Sequence, residues 1–277
     1  MVKAKLIALA LALCCAGGLC AQEHGFSWTQ TRVDGSRTGV GVPNADNVQE
    51  ALGTVRGRKY HAPNGRVFKR GVTPAVAKIM IDAQDVMASV KEVVGYATRD
   101  MSAHRPESEL SNWFVDELMR ATEELTGRKV DVGITNFGGI RTDFYAGPIL
   151  RDDVLSMFPF KNSLCYIALK GEDLRYWFEY MAKNGVQVVG GVKLVIRNRE
   201  LVEATIGGEP IDDEKVYGLA TISFLLNGGD GLSLVRNAQE LIETDKMIID
   251  VMLPYVQRLA AEGKPVEYTT DGRVVIL

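Results

Sequence analysis

The chain has 277 residues, of which 46% are hydrophobic and 24% are charged, and its formal net charge is −3. This balance is typical of a globular protein and lacks the basic excess that is usual for a nucleic-acid binder. At the N-terminus, Lys3 and Lys5 precede an apolar run from Leu6 to Leu13, and small residues follow up to Ala21. This order predicts a secretory signal peptide over residues 1–21, because the run is shorter than the roughly 20 apolar residues of a membrane span.

The cysteines fall mostly within this signal. Cys14, Cys15 and Cys20 all lie there, so the exported chain would keep only Cys165 and would have no internal disulfide. Lipidation of Cys20 is the alternative fate of this segment, but Leu19 stands where a lipoprotein signal has Gly, Ala or Ser. We therefore predict an exported, periplasmic protein without a membrane span.

Residues 22–72 are weakly patterned. They are rich in Gly, Asn, Arg and Thr, and Asn64-Gly65 gives a turn signal between residues 59–61 and 66–68. We predict an irregular lead-in that wraps the domain.

The first clear helix signal follows this lead-in. Thr73-Pro74 supplies an N-cap and a proline at the first helical position, and apolar residues then recur at helical spacing from Val76 to Val93. The predicted helix has one continuously apolar face. A second helix is predicted from about Glu109 to Leu125, with Gly127 ending it.

Further elements are predicted from the spacing of apolar residues and from the turn residues that bound each segment. The strands are residues 130–134, 163–170 and 216–222, with hairpins at 193–206 and at 266–277. The helices are residues 172–183 and about 245–261, the second containing Pro254. Helices and strands mix without strict alternation, which favours an α+β fold, a layered mixed-sheet domain over residues 73–277.

Two glycine-containing loops follow predicted strands. The first runs Asn136-Phe137-Gly138-Gly139-Ile140-Arg141. Glycine lets backbone approach a ligand, asparagine can donate and accept, and arginine offers a planar fork for phosphate. A tight turn with a solvated arginine would explain the same residues.

The second loop runs from Phe224 to Gly231 and presents Asp230 among three glycines. Its carboxylate could accept hydrogen bonds from a sugar diol, and a purely structural turn is the alternative. A lone aspartate makes a calcium loop improbable. Between the two loops, Phe158-Pro159-Phe160-Lys161-Asn162 offers phenylalanines that could pack in the core or stack on a base.

These motifs occur together in the order and approximate spacing of one family. The chain resembles the C-terminal, substrate-binding domain of the 5′-nucleotidases. The motifs that carry the resemblance are Asn-x-Gly-Gly-Ile-Arg, Pro159-Phe160-x-Asn162 and Phe224-Leu225-x-x-Gly-Gly-Asp-Gly. The resemblance covers about residues 90–240. It implies that Phe160 and Phe224 sandwich a nucleobase and that Asp230 holds the ribose hydroxyls.

The resemblance also assigns the remaining substrate-binding residues. Asn136 and Asn162 match residues near base and substrate, and Arg141 matches an arginine on the phosphate side. Arg105 is the nearest candidate for a further arginine before the opening helix, although the local spacing differs. The chain departs from the family pattern at Phe137, where glycine is usual, and at Leu232, where an aromatic is common. The substrate-binding set is Asn136, Gly138, Gly139, Arg141, Phe160, Asn162, Phe224, Gly229, Asp230 and Arg105.

Nothing in the sequence predicts catalytic residues or a metal site. The 5′-nucleotidases hydrolyse phosphate esters with two metal ions, and such a site needs clustered Asp, His and Asn ligands. This chain has only His24, His61 and His104, and no Asp-x-His, Asn-His-Glu or Gly-His-x-His string. We therefore expect no cofactor in this chain, and divalent metals only in a partner metallophosphatase.

Three functions fit these features. The leading hypothesis is the nucleotide-recognising half of a split 5′-nucleotidase, with a separate metallophosphatase chain for catalysis. The alternative is a stand-alone exported protein that binds nucleosides or nucleotides. A degenerate domain kept for protein–protein contact is the third, against which the joint presence of Phe160, Phe224, Asp230 and Arg141 argues.

Overall fold

In the computed structural model, residues 35–43 and 47–277 are described. The predicted signal peptide and His24 lie outside these residues. The helices are α1 (Val48–Leu52), α2 (Thr73–Val86), α3 (Glu109–Thr126), α4 (Arg151–Met157), α5 (Gly171–Asn184) and α6 (Ile248–Ala261). No described helix is long and apolar enough to cross a membrane.

The strands of the described residues are interspersed with these helices and form four sheets. They are β1 (Thr54–Arg56), β2 (Lys59–His61), β3 (Val67–Phe68), β4 (Val93–Ala97), β5 (Val132–Thr135), β6 (Gly147–Leu150), β7 (Ser163–Lys170), β8 (Val188–Gly190), β9 (Val192–Arg197), β10 (Glu200–Ile206), β11 (Glu209–Pro210), β12 (Val216–Ile222), β13 (Glu240–Met247) and β14 (Val274–Ile276). The orders are β1-β2-β3, β4-β6, β11-β10-β9-β14 and β13-β7-β12-β5-β8. This mixture confirms the predicted α+β class.

The five-stranded sheet and α3 form the centre of the core. All four residues of β5 are buried, as are the central residues of β7 and β12. On α3, Leu110, Trp113, Phe114 and Leu118 are at most 1% exposed, and the helix packs against β5, β7, β8 and β12. Ser108 caps α3 by accepting from the Ser111 backbone N–H, and Gly127 ends it in the left-handed conformation.

The predicted lead-in is more regular than expected. Residues 48–68 form α1 and the three-stranded antiparallel sheet β1-β2-β3, with Asn64-Gly65 in the β2–β3 turn as predicted. These strands are two or three residues long, too short to give a period-2 signal. Tyr60 anchors the sheet, because its hydroxyl is buried and donates to the Leu52 carbonyl at 2.7 Å.

The apolar face of α2 is exposed. Such a face usually packs on a core, but the buried residues of α2 are Pro74 and Gln84, whereas Ile79 is 69% and Val86 82% exposed. The helix also ends earlier than its apolar spacing indicated, since a 3₁₀ turn spans Ala88–Lys91 and β4 starts at Val93.

The C-terminal region differs from the sequence prediction in two places. Residues 245–247 belong to β13, so α6 begins at Ile248, where Asp250 accepts from the Met247 N–H. The predicted hairpin over 266–277 is wrong: Val266 forms an isolated bridge with Ala97, and β14 pairs in parallel with β9.

An ion-pair network around a buried arginine joins the residue before the last strand to α3. Arg273 is 7% exposed, and its guanidinium donates to both carboxylate oxygens of Asp116 on α3, at 2.8 and 2.9 Å. Asp271 accepts from the same guanidinium at 2.7 Å. The residue before β14 is thereby tied to α3, while β14 itself pairs with β9.

Candidate functional site

Three loops meet at one edge of the five-stranded sheet. Strands β5 and β12 are adjacent and parallel, so the loops that follow them leave from the same edge. Strand β7 runs antiparallel to β12, with Leu164 opposite Ile222, so the loop that precedes β7 reaches this edge too. We call residues 136–142, 158–162 and 223–232 the first, second and third pocket loops. Nine of the ten predicted substrate-binding residues lie on these loops.

Hydrogen bonds tie the pocket loops together. The Asn136 side-chain amide donates to the Asp230 carboxylate at 2.8 Å, which joins the first loop to the third. The Arg141 backbone N–H donates to the Met157 carbonyl at 3.1 Å, next to the second loop. The Ser223 hydroxyl accepts from the Ser163 N–H at 3.1 Å, which joins the third loop to the start of β7. The three loops therefore form one connected site.

The phenylalanines of the second loop have different environments. Phe158 is buried and packs on Phe114 of α3, with ring centroids 4.7 Å apart. Phe160, two residues later, is 45% exposed, and Phe224 in the third loop is 44% exposed. One phenylalanine beside Pro159 is thus a core residue, while Phe160 and Phe224 present ring surface to solvent at the same sheet edge.

The third loop has a backbone that glycine makes possible. A Cβ on Gly229 would lie 2.1 Å from the Phe224 carbonyl oxygen and 2.7 Å from the Phe224 ring. Only glycine allows this close approach. Asp230 itself adopts the left-handed conformation, with φ of 50°, and is exposed. The turn therefore packs Gly229 against Phe224 and presents the next residue's carboxylate within hydrogen-bonding distance of Asn136.

Arg141 lies on the side of the first loop that faces the second. Its guanidinium carbon is 5.9 Å from the Phe160 ring centroid, and its side chain is exposed. Its Nη1 donates to the Gly138 carbonyl at 3.4 Å. A Cβ on Gly139 would lie 2.8 Å from the Asn136 side-chain oxygen. Glycine at this position therefore allows the Asn136 side chain to pack against the backbone of the same loop. The Arg141 guanidinium and the exposed Phe160 ring thus lie close together where the first and second pocket loops meet.

Arg105 reaches the first pocket loop from outside. Its guanidinium lies 4.8 Å from the Phe137 ring centroid, and its Nε donates to the Val186 carbonyl at 2.8 Å. Phe137, at the position where glycine was expected, is buried and serves as the platform for this arginine. The structure therefore places Arg105 next to the site, with its guanidinium bound to protein groups.

Gln187 is a residue of this region that the sequence reasoning missed. Its side-chain oxygen accepts from the Phe137 N–H at 3.2 Å and from Arg105 at 3.3 Å. The available signal was a single amide among Val186, Val188 and Val189, because a buried polar residue in an apolar run needs partners.

Asn162 ends the second pocket loop. Its backbone carbonyl accepts from the Ile248 N–H at 3.1 Å, at the first residue of α6. This bond fixes where the second loop joins β7.

The described residues do not fit a two-metal phosphoesterase site. Among them, no group of three His, Cys, Asp or Glu side chains is arranged to hold a metal ion. Two aspartates that could be considered as ligands have structural roles: Asp153 caps α4 by accepting from the Leu150 N–H, and Asp213 binds Arg175. We therefore assign no catalytic step to a metal held by these residues.

Comparison with known proteins identifies the family. The model of the 5′-nucleotidase C-terminal domain matches residues 86–237, more than half of the chain. The chain belongs to this family. An apyrase from Tabanus yao is 31% identical over 170 residues, covering 53% of this chain and 30% of the apyrase. Protein UshA of Yersinia enterocolitica is 30% identical over 163 residues, covering 57% of this chain and 29% of UshA. The chain thus spans about a third of the length of these relatives.

Solved structures show the same relationship. The 5′-nucleotidase precursor from Thermus thermophilus superimposes with a TM-score of 0.63 at 26% identity, covering 74% of this chain and 43% of that protein. The Haemophilus influenzae NAD nucleotidase superimposes with a TM-score of 0.55 at 16% identity, over 79% of this chain and 47% of that protein. The second likeness shows the fold alone.

Proposed function

We propose that this chain is the nucleotide-recognising half of a split 5′-nucleotidase, exported to the periplasm. The observation that carries the proposal is the convergence of three loops at one sheet edge, where two exposed rings, a carboxylate and an arginine stand together. Exposed aromatic surface beside converging polar groups is the composition of a site for a flat, polar ligand.

Each group has a place in the proposed complex. Phe160 and Phe224 stack on the two faces of the base. The Asp230 carboxylate accepts from the ribose hydroxyls, and its bond from Asn136 fixes its orientation. The exposed Arg141 guanidinium donates to the phosphate, for which its planar fork is suited. Arg105 supports the first loop through Phe137, so its contribution to the phosphate is secondary.

Hydrolysis in this proposal takes place on a separate metallophosphatase chain. A pair of divalent metals on that partner would activate water and stabilise charge on the phosphoryl oxygens. The residues of this chain bind the base and ribose, the parts of the substrate away from the reacting bond. Binding energy from such remote parts raises the rate by holding the phosphate in place.

Calorimetry with AMP tests the recognition site. The purified chain is expected to bind AMP saturably, and Phe160→Ala and Phe224→Ala should each weaken binding by about 5- to 150-fold, because stacking on one base is worth roughly 1–3 kcal/mol. Tyr96→Ala is the matched control, since Tyr96 is also an exposed aromatic but lies on β4. Adenosine lacks the phosphate, so the difference in affinity between AMP and adenosine measures the contribution of the phosphate contact proposed for Arg141.

Two outcomes would contradict the proposal. The first is absence of AMP binding by the unmodified chain. The second is binding that Phe160→Ala and Tyr96→Ala weaken equally. A metallophosphatase partner that hydrolyses AMP equally well with and without this chain would leave nucleotide binding intact but would rule out the split enzyme.

A further inference from the structure

Helix α2 carries an apolar surface that nothing in the described structure covers. Its exposed large apolar side chains are Val72 immediately before the helix, Val76, Ile79, Met80, Val86 and, at its C-terminal cap, Met87. Isolated surface apolar residues are common, but a contiguous stripe of this kind marks an interaction site. We call this stripe the α2 face.

The spacing of the α2 face suits a second helix. Val72, Val76, Ile79, Ala83 and Val86 are separated by steps of four and three residues. This is the repeat of a coiled-coil seam, in which side chains at alternating steps insert between those of a partner helix. The opposite side of α2 packs against α1, β1 and β2, so the seam points away from the rest of the N-terminal region.

The residues before α2 and in its first turns are strongly basic, whereas its later turns carry Asp82 and Asp85, and Asp82 pairs with Lys78. From Ala51 to Ile81 the chain has no Asp or Glu, although its overall net charge is −3. The cations of this segment are Arg56, Arg58, Lys59, Arg66, Lys69, Arg70 and Lys78. Arg58, Lys69, Arg70 and Lys78 line a groove of about 440 Å³ beside the start of α2. An apolar stripe flanked by an excess of positive charge matches an interface with an apolar centre and a polar rim, and it requires an acidic rim on the partner.

The position of α2 in the chain indicates the occupant. The family domain begins at residue 86, the last residue of α2. This domain is the C-terminal one of the family, and the matched relatives are more than twice as long as the segment they share with this chain. In sequence, α2 therefore stands immediately before the shared domain, on the side where the remaining part of those relatives joins it.

Resting on the proposed split enzyme, we propose that the α2 face is the docking surface for the metallophosphatase chain. The partner contributes an apolar helix, which packs along Val76, Ile79 and Val86, and an acidic rim, which faces the basic groove. This docking places the metal-bearing chain at a fixed distance from the pocket loops.

The test uses the tagged full chain to pull down a partner, which is detected by its AMP hydrolysis. Unmodified protein, Ile79→Asp and Val86→Asp are incubated with periplasmic extract of the source organism, and the bound fraction is assayed for AMP hydrolysis that EDTA abolishes. Both positions are exposed, so the variants should fold normally, which thermal unfolding checks. Val202→Asp is the matched control, since Val202 is 57% exposed on β10, outside this region.

We expect the unmodified chain and Val202→Asp to capture EDTA-sensitive AMP hydrolysis, and Ile79→Asp and Val86→Asp to lower it at least tenfold. Equal capture by all four proteins, or no captured hydrolysis, would overturn the proposal. Dimerisation that Ile79→Asp abolishes in sedimentation would assign the α2 face to a second copy instead. Binding to phosphatidylglycerol vesicles that is lost in Ile79→Asp would assign it to a lipid surface.

Calorimetry with AMP separates the two proposals. Ile79 lies outside the pocket loops, so Ile79→Asp should bind AMP as the unmodified chain does. Loss of captured hydrolysis with unchanged AMP binding is then a defect in docking. Absence of AMP binding by the unmodified chain would instead refute the proposed function.

Discussion

Helices α2 and α3 are both amphipathic, but the protein uses their apolar faces in opposite ways. Ten residues of α3 are buried, including Trp113 and Phe114, and its apolar stripe is covered by the five-stranded sheet. Helix α2 buries only Pro74 and Gln84 and turns its valines and Ile79 to solvent. The difference shows that an apolar period predicts a helix and its face, whereas the partner of that face depends on what the rest of the fold supplies.

Truncating one side chain in each helix tests this contrast most directly. Leu118→Ala should lower the free energy of unfolding by about 2–5 kcal/mol, because Leu118 is fully buried and its loss leaves a cavity. Ile79→Ala should change it by less than about 0.5 kcal/mol, because the side chain is exposed. Urea denaturation of the isolated chain measures both values. Comparable losses would show that the α2 face is covered within the chain itself.

Thiol reactivity gives a second comparison of the two regions. Cys165 on β7 is fully buried, and burial raises the pKa of its thiol to about 11. The thiolate is the reactive form, so Cys165 in the native chain at pH 8 should react with a disulfide reagent at least a hundredfold more slowly than the introduced thiol of Ile79→Cys in a Cys165→Ala background. Unfolding in guanidinium should equalise the two rates. Similar rates in the native state would mean that the sheet opens readily around β7.

The same thiol predicts a pH dependence. In the unfolded chain it ionises near its usual pKa of 9.0, and in the folded chain near 11. Between these pH values the thiol loses its proton in the unfolded chain but keeps it in the folded chain. The free energy of unfolding should therefore be constant with respect to this group below pH 9 and should fall as the pH rises towards 11. Cys165→Ala should remove this part of the decline, as parallel denaturation curves of the two proteins would show.

The smallest expected effect concerns the rigidity of the pocket loops. Gly229→Ala should weaken AMP binding about tenfold, because the added Cβ would lie 2.1 Å from the Phe224 carbonyl and would displace that ring. Gly41→Ala is the matched control, since Gly41 lies outside the pocket loops and an added Cβ would meet nothing within 4 Å. Calorimetry measures both affinities. Unchanged AMP binding by Gly229→Ala would show that the third loop can shift to accept the added Cβ, so that it would tolerate substitution as an exposed surface such as α2 does.

Local patterns predicted those elements that their own residues determine. Strands β7 and β12 begin and end where their apolar runs do, and the hairpin of β9 and β10 and the end of α3 at Gly127 were also predicted. Each of these is fixed by burial period or by a turn residue within a few positions.

Long-range interactions decided the rest. The sequence did not show that β5 and β12 are parallel neighbours, although this pairing brings Asn136 to Asp230 across 94 positions. No local pattern indicated β13, an edge strand whose residues are exposed or only partly buried, with Leu241 exposed and Glu240 partly buried. The Arg273–Asp116 pair, which replaced the predicted C-terminal hairpin, joins residues 157 positions apart. Such contacts depend on packing that no local window contains.

The attachment of each pocket loop to its own strand has a consequence for how specificity can change. Substitutions in the second loop alter one wall of the site, while the strands that carry Asn136 and Asp230 keep their register. In the proposed complex, the Phe160 side of the base site can therefore change without altering the position of Asp230, because the sheet is a constant frame.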